Sequence, residues 1–192
     1  DSTMNIVKDF ASHYPFIRYI SEPDSGIYDA INKGIRMATG DVIGLLNSDD
    51  ELYSPDILAH IISQMQSTRA DILYGDLLYC RYDAFEHNPP RVIRHWKSEP
   101  FQPKTLTKGW MPAHPTVYCR REVFDKVGLY RTDFRISADY EFILRAFSDP
   151  SLKKEYLNEI FVRMEVGGIS NRDMHSLLLK SKEDVKAMKL HH

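Results

Sequence analysis

"SEPDSGIYDAINKGIRMATGDVIGLLNSDDELYSPD", residues 21–56, places a helix, a strand and a polar knot in immediate succession. From Ile27 the apolar residues Ile31, Ile35 and Ala38 share one helical face, and Thr39-Gly40 ends the helix. Asp41 to Leu46 is apolar without alternation, the pattern of a strand covered on both faces of a parallel sheet. It runs straight into Asn47-Ser48-Asp49-Asp50. Ser54-Pro55-Asp56 then starts a further helix, which runs to about Gln66, with a cap, a proline at the first helical position and an acid in the first turn. The order predicts an α/β core with a mainly parallel sheet. In such sheets ligands bind beyond the carboxyl ends of the strands, where the polar knot lies.

Outward from this stretch, Ser2 or Thr3 caps a helix marked by Ile6, Val7, Phe10 and Ala11, and Phe16 to Ile20 reads as a short strand. Ile72 to Cys80 reads as a strand, and residues 81–109, with four prolines, as a long loop holding a short strand near Val92-Ile93. Thr116 to Cys119 is an expected strand and Arg121 to Val127 a helix closed by Gly128. A helix over Ala138–Phe147, a strand over Tyr156–Val166 and a helix over Met174–Leu190 complete the chain. No internal repeat is visible.

At 192 residues the chain fits one domain with a real core. Twenty-five basic against 27 acidic residues, with no long basic run, argue against nucleic acid as a partner. The longest apolar runs are far too short to span a bilayer. Cys80 and Cys119 lack metal-type pairing and read as two reduced thiols of a cytosolic protein.

Two adjacent carboxylates repel each other and hold water tightly. Taken alone, Asp49 and Asp50 more often mark an ordinary turn before a helix. The alternative is a hard divalent cation, since Mg²⁺ takes one or two carboxylates together with phosphate oxygens. Gly26-Ile27-Tyr28-Asp29-Ala30-Ile31-Asn32-Lys33-Gly34, then Ala38-Thr39-Gly40-Asp41, then Leu46-Asn47-Ser48-Asp49-Asp50 decide between them. Together they resemble the family 2 glycosyltransferases of the GT-A fold, in the bacterial branch that builds exopolysaccharide, capsule or lipopolysaccharide sugars. In that family the metal motif is Asp-x-Asp, and Asn47-Ser48-Asp49 stands in its place. The resemblance implies that Asp49 and Asp50 meet Mn²⁺ or Mg²⁺ and that Asn47 and Asp49 contact the donor. Asn47 in place of an acid removes one charge from the site.

Asp24, Gly26 and Tyr28 would form the turn and helix start facing the donor nucleotide. Amides at a helix N-terminus favour phosphate, and Gly26 allows close backbone approach. Asn32 and Lys33 lie on the polar side of that helix. By the resemblance both serve the donor, while Lys33 also has the spacing for an ion pair with Asp29.

"MPAHPTVYCRREVFDKVGLYRTDFRISADYEFILRAF", residues 111–147, resembles the acceptor half of these enzymes. Its acid before an apolar helix, Asp139, takes the place of the catalytic base; as sequence alone it could equally cap that helix. His114 matches a family position near the diphosphate or acceptor. Glu141 and Arg145, four apart, read as a surface or supporting pair. Gly167 to Ser170 recurs in this branch, and by the resemblance could close over the acceptor side. The Gln-x-x-Arg-Trp signature of processive synthases is absent, which favours one sugar per reaction.

The resulting expectation is a GT-A-like, Rossmann-related domain over residues 1–170 and a C-terminal helix over 171–192, ending in His191-His192 like the start of a purification tag. The implied reaction is inverting, metal-dependent transfer of one hexose from a nucleotide-diphosphate sugar to a saccharide or lipid-linked acceptor in cell-surface polysaccharide synthesis. The expected setting is the cytoplasm, including the inner face of the membrane. The C-terminal helix could pack on the domain, on a second subunit or on a membrane surface. In this family a strand, a helix and a second strand precede the first motif, ending in an Asp-Gly-Ser-Thr-Asp-like loop that Asp1-Ser2-Thr3 resembles. A chain lacking those strands is expected to associate with another chain and to bind donor weakly or not at all. Two other classes stay open: an incomplete GT-A domain acting as a binding module, and a phosphotransferase, although no Gly-Lys-Ser/Thr phosphate loop is present.

Overall fold

The computed structural model describes residues 2–82, 90–166 and 174–191. Gly167 to Ser170 lies outside them. In chain order the elements are α1 (Thr3–His13), α2 (Ile27–Met37), β1 (Val42–Ile43), β2 (Asp50–Leu52), α3 (Ile57–Thr68), β3 (Ile72–Arg81) and β4 (Arg91–Trp96). Two 3₁₀ turns, Pro103–Lys108 and His114–Thr116, lead to β5 (Tyr118–Arg120), α4 (Arg121–Val127), α5 (Ala138–Ser148), β6 (Lys154–Glu165) and α6 (Met174–His191).

The strands form one sheet in the order β1-β5-β3-β6-β2, with β4 paired to β3. The sheet is mixed, not mainly parallel as the apolar runs suggested. Among the described residues only β3 and β6 pair parallel, while β1·β5, β5·β3, β3·β4 and β2·β6 are antiparallel. The run Asp41–Leu46 that suggested parallel pairing is not covered on both faces, since Leu46 is 50% exposed. Strand β3 is buried along most of its length and pairs in both directions, so burial carries no information on strand direction.

Helices cover both faces. Ile72 and Tyr74 of β3 pack with Ile35 of α2, Val123 and Phe124 of α4, and Phe142, Ile143 and Phe147 of α5. Leu73 and Leu77 pack with Ile57, Ile61 and Met65 of α3 and with Phe161 and Val162 of β6. A fully buried side chain of this kind contributes about 1.5–3 kcal/mol as an upper figure. These two layers therefore hold the sheet rigidly under the site.

The stretch read as a strand from Asp41 to Leu46 pairs only at Val42–Ile43. The chain then leaves one sheet edge and enters β2 at the other. That crossing spans four strand steps, roughly 19 Å at about 4.8 Å each. Of the six residues between Ile43 and Asp50, Asn47 to Asp49 close a tight turn, the Asp50 N–H donating to the Asn47 carbonyl at 3.1 Å. Gly44 permits the crossing, because a Cβ there would overlap the Tyr118 ring. Asn47-Ser48-Asp49 thus forms the turn that leads into β2.

Residues 16–20 form no strand, since no neighbouring strand among the described residues offers a ladder. Phe16 is 80% exposed. Helix α1 buries none of its residues, leaving Ile6, Phe10 and Tyr14 open. Helix α6 packs on α5: Ala187 is fully buried and Glu183 nearly so. Among the described residues no helix is long and apolar enough to cross a membrane.

Candidate active site

Asp50 opens β2 opposite Met164 of β6, which buries its carboxyl to 8% exposure. Asn47 Nδ2 donates to Asp50 Oδ2 at 2.7 Å, while Asp50 Oδ1 is buried with no partner. Burial pushes the Asp50 carboxyl up, the Asn47 amide opposes that, and neighbouring Asp49 adds to it. A bare buried carboxylate oxygen is costly, and a cation beside it would satisfy it. Asp49 is exposed next to it. The two acids and the Asn47 amide oxygen therefore fit a hard divalent ion. Among the described residues no group of three or more His, Cys, Asp or Glu encloses a metal position. Phosphate oxygens and water would complete the shell, the usual way Mg²⁺ is held.

The second centre lies where α5 begins. Ser137 at the N-cap makes no side-chain capping bond. Glu183 of α6 instead holds the turn before the helix: its carboxylate accepts the N–H groups of Arg135 at 2.8 Å, Ile136 at 2.9 Å and Ser137 at 3.0 Å. Asp139 follows in the first turn. Its Oδ1 accepts the Tyr140 N–H at 2.8 Å and lies 3.3 Å from the Tyr28 hydroxyl. Tyr28 donates its short bond, 2.5 Å, to the Ile136 carbonyl. Burial, reinforced by the Asp139 charge, pushes the Tyr28 phenol far up, so it stays protonated.

Tyr130 joins this centre to the other expected residues. Its ring stacks on Tyr28 with centroids 6.0 Å apart, and its hydroxyl lies 2.8 Å from His114 Nε2. Burial lowers the His114 pKa against the opposing pull of Asp139, so the imidazole is neutral near pH 7. Asn32, 3% exposed, clamps Tyr130 through both ends of its amide, donating to the carbonyl at 2.8 Å and accepting the N–H at 3.0 Å. Both ends of Asn32 are thus committed to the scaffold. Tyr28, Asn32, His114 and Asp139 meet around one tyrosine that no sequence pattern marked.

Lys33 sits within 2.8 Å of Glu22, 2.7 Å of Asp24 and 3.5 Å of Asp29. The nearby carboxylates raise its pKa. Asp29 Oδ2 also accepts the Ser25 N–H at 3.0 Å, and Gly26 takes φ 123° at the N-cap of α2. Asp24, Gly26 and Lys33 therefore form a tied loop with three carboxylates against one ammonium. Such a loop disfavours a bare phosphate in this conformation.

Glu141 is no surface residue. At 1% exposure it takes a two-pronged bond from Arg145, at 3.1 and 2.9 Å, and meets His191 Nε2 at 2.8 Å. The i, i+4 spacing predicted the pair, but the burial comes from α6 closing over it.

Because three backbone donors depend on Glu183, Glu183→Ala is expected to lower unfolding stability by about 1–3 kcal/mol. Urea titration reads this directly. An unchanged midpoint and slope would mean that water replaces the carboxylate without loss.

The model of the family described as glycosyl transferase family 2 matches residues 1–128. A "PGL/p-HBAD biosynthesis glycosyltransferase" of Mycobacterium bovis is 31% identical over 183 residues, covering 94% of this chain and 67% of that protein. The "uncharacterized glycosyltransferase YibD" of Escherichia coli is 25% identical over 190 residues, covering 84% of this chain and 51% of that protein. Among solved structures, residues 1–349 of S. aureus TarS superpose with TM-score 0.61 at 14% identity, over 86% of this chain and 48% of that fragment. The mannosyltransferase PcManGT of Pyrobaculum calidifontis, solved with GDP-Man and Mn²⁺, gives TM-score 0.60 at 14% identity, over 98% and 50%. The chain spans about half the length of these solved proteins. Its mixed sheet between helical layers is the GT-A fold. With the family model covering two thirds of the chain, the protein belongs to glycosyl transferase family 2.

Proposed function

We infer that the protein transfers a single sugar, with inversion, from a nucleotide-diphosphate donor to a hydroxyl of a saccharide or lipid-linked acceptor. The observation that carries this reading is the state of Asp139. Oδ1 is fixed by the Tyr140 amide with Tyr28 alongside, while among the described residues Oδ2 takes no hydrogen bond. A carboxylate anchored by one oxygen and open at the other is shaped for a general base.

In the proposed step the acceptor hydroxyl oxygen attacks the anomeric carbon as Asp139 Oδ2 takes its proton. The bond from that carbon to the diphosphate oxygen breaks, and the diphosphate leaves with the electron pair. The Tyr140 amide holds the carboxylate in place, and Tyr28 beside it, staying protonated, does not compete for the proton. Neutral His114 adds no positive charge beside Asp139, which keeps the base from being neutralised by an ion pair. Asp49 and Asp50, with Asn47, would hold Mn²⁺ or Mg²⁺. When bound, that ion supplies charge neutralisation for the departing diphosphate.

The donor class is supported by neighbours solved with UDP-GlcNAc and with GDP-Man and Mn²⁺. A biosynthetic setting is supported by the name of the mycobacterial relative. Cell-surface polysaccharide synthesis and a cytoplasmic site, at the membrane's inner face for lipid-linked acceptors, follow from the family branch. A second reading, a partner-binding GT-A domain that associates through its first residues, is favoured by one observation: Ile6, Phe10 and Phe16 lie open.

Release of nucleoside diphosphate from a nucleotide-sugar panel with saccharide acceptors tests the reading. The anomeric configuration of the product is followed by NMR. Transfer with retention would overturn the proposed single displacement. Binding of partners with no turnover of any donor would favour the second reading.

A further inference from the structure

Strand register places four side chains in one line across the sheet. Asp50 of β2 faces Met164 of β6, Met164 faces Tyr79 of β3, and Tyr79 faces Arg94 of β4. Directly opposed residues point to the same face of a sheet. The preceding line on that face, Leu52, Val162, Leu77 and Trp96, belongs to the layer under α3. The line holding Asp50 and Arg94 lies just beyond that layer, toward the end of the sheet where β3 and β6 finish.

Arg94 is held there. Its guanidinium carbon lies 5.8 Å from the Tyr79 ring centre and 5.3 Å from that of Trp96. The two rings stack on each other at 6.4 Å. Cation–π contacts of this kind fix a guanidinium without neutralising it. Among the described residues no carboxylate pairs with Arg94, and its side chain is exposed. The ladder between β3 and β4 shifts register between Tyr79 and Cys80, beside Arg94. Such bulges re-aim side chains next to sites. At the other end of the line stands Asp50 with its bare oxygen. Three strand steps, roughly 14 Å between Cα atoms, separate the two. An arginine side chain and a diphosphate group together can bridge that gap. Tyr79 feels both charges: burial pushes its phenol up, Arg94 draws it down and Asp50 adds to the rise.

We propose that Arg94 is a phosphate-binding arm of the same site, receiving a phosphoryl group of a substrate whose other end lies at Asp49 and Asp50. This rests on the transferase reading given above. A guanidinium stacked on aromatic rings in line with Asp50, with no carboxylate partner among the described residues, suits a phosphate, because the planar fork binds two phosphate oxygens at once. That phosphate belongs either to the donor diphosphate or to a phosphate-bearing acceptor, and the test separates the two.

Affinities of UDP and GDP with Mg²⁺, of uridine and guanosine, and of dodecyl phosphate are measured for the wild type, Arg94→Gln and Arg94→Lys, with Asp49→Ala as control. Arg94 is exposed, so all forms are expected to melt together. If the donor diphosphate is the ligand, Arg94→Gln weakens UDP or GDP about tenfold and leaves the nucleosides unchanged. If the acceptor phosphate is the ligand, nucleotide binding is untouched and dodecyl phosphate weakens by a similar factor. Arg94→Lys should recover only part of either loss. Unchanged affinity for every phosphate probe in Arg94→Gln overturns the proposal, as does a wild type that binds none of them. Failure of the transferase reading looks different: Asp49→Ala then leaves UDP and GDP binding as it was.

Discussion

Asp139→Asn is expected to bind nucleotide-sugar as the wild type does and to transfer sugar roughly a hundredfold to ten-thousandfold more slowly, the range for a lost general base. The amide keeps the shape of the carboxylate, and its oxygen can still accept the Tyr140 N–H that now meets Oδ1 at 2.8 Å. It cannot take a proton. Glu183 continues to hold the three amides before α5, so the helix start stays where it is. The loss should therefore fall on the rate of transfer and leave donor affinity alone. Turnover near that of the wild type with a competent acceptor would reduce Asp139 to a residue of the helix start.

Asp49→Ala should abolish the metal-dependent part of nucleotide binding while the protein melts as before. Asp49 is exposed and precedes the β2 ladder, so its side chain carries no packing. Asp50 is the less clean position, because its carboxyl is buried against Asn47 and its removal would also relieve an unsatisfied group. Calorimetry with and without Mn²⁺ decides the matter. A folded Asp49→Ala protein with unchanged nucleotide and Mn²⁺ affinity would remove Asp49 from the site.

Local pattern carried most of the fold. The i, i+3, i+4 spacing from Ile27 set α2, Ser54-Pro55-Asp56 announced α3, and Gly128 closed α4 at φ 84°. Partner and direction of strands were not legible, since a two-sided apolar run reads alike in either orientation. Phe16 to Ile20 had strand composition but found no neighbour, and Asp50–Leu52, with two acids, had a neighbour but no strand composition. Of the candidate site, the adjacent acids and Asp139 were picked out by the resemblance to family 2 glycosyltransferases, since as residues alone they read as an ordinary turn and a helix cap. What each of them touches was hidden. Asn32 bonds Tyr130, 98 positions away, and Tyr28 reaches Asp139 across 111. Glu183 is one charge among many on a polar helix in the sequence, and only the packing of α6 on α5 turns it into the support of the turn before Asp139. Arg94 lay in a stretch without periodicity, and only strand register aligns it with Asp50.

The most direct test of the account is saturation-transfer NMR with a panel of UDP- and GDP-sugars, with and without Mg²⁺. It is run on the 192-residue chain beside its Asp49→Ala variant. The method detects weak as well as moderate binding. The account predicts saturation of sugar and base protons for at least one donor, dependent on Mg²⁺ and lost in Asp49→Ala. No saturation transfer to any nucleotide-sugar, or the same signal without metal and in the variant, would contradict it.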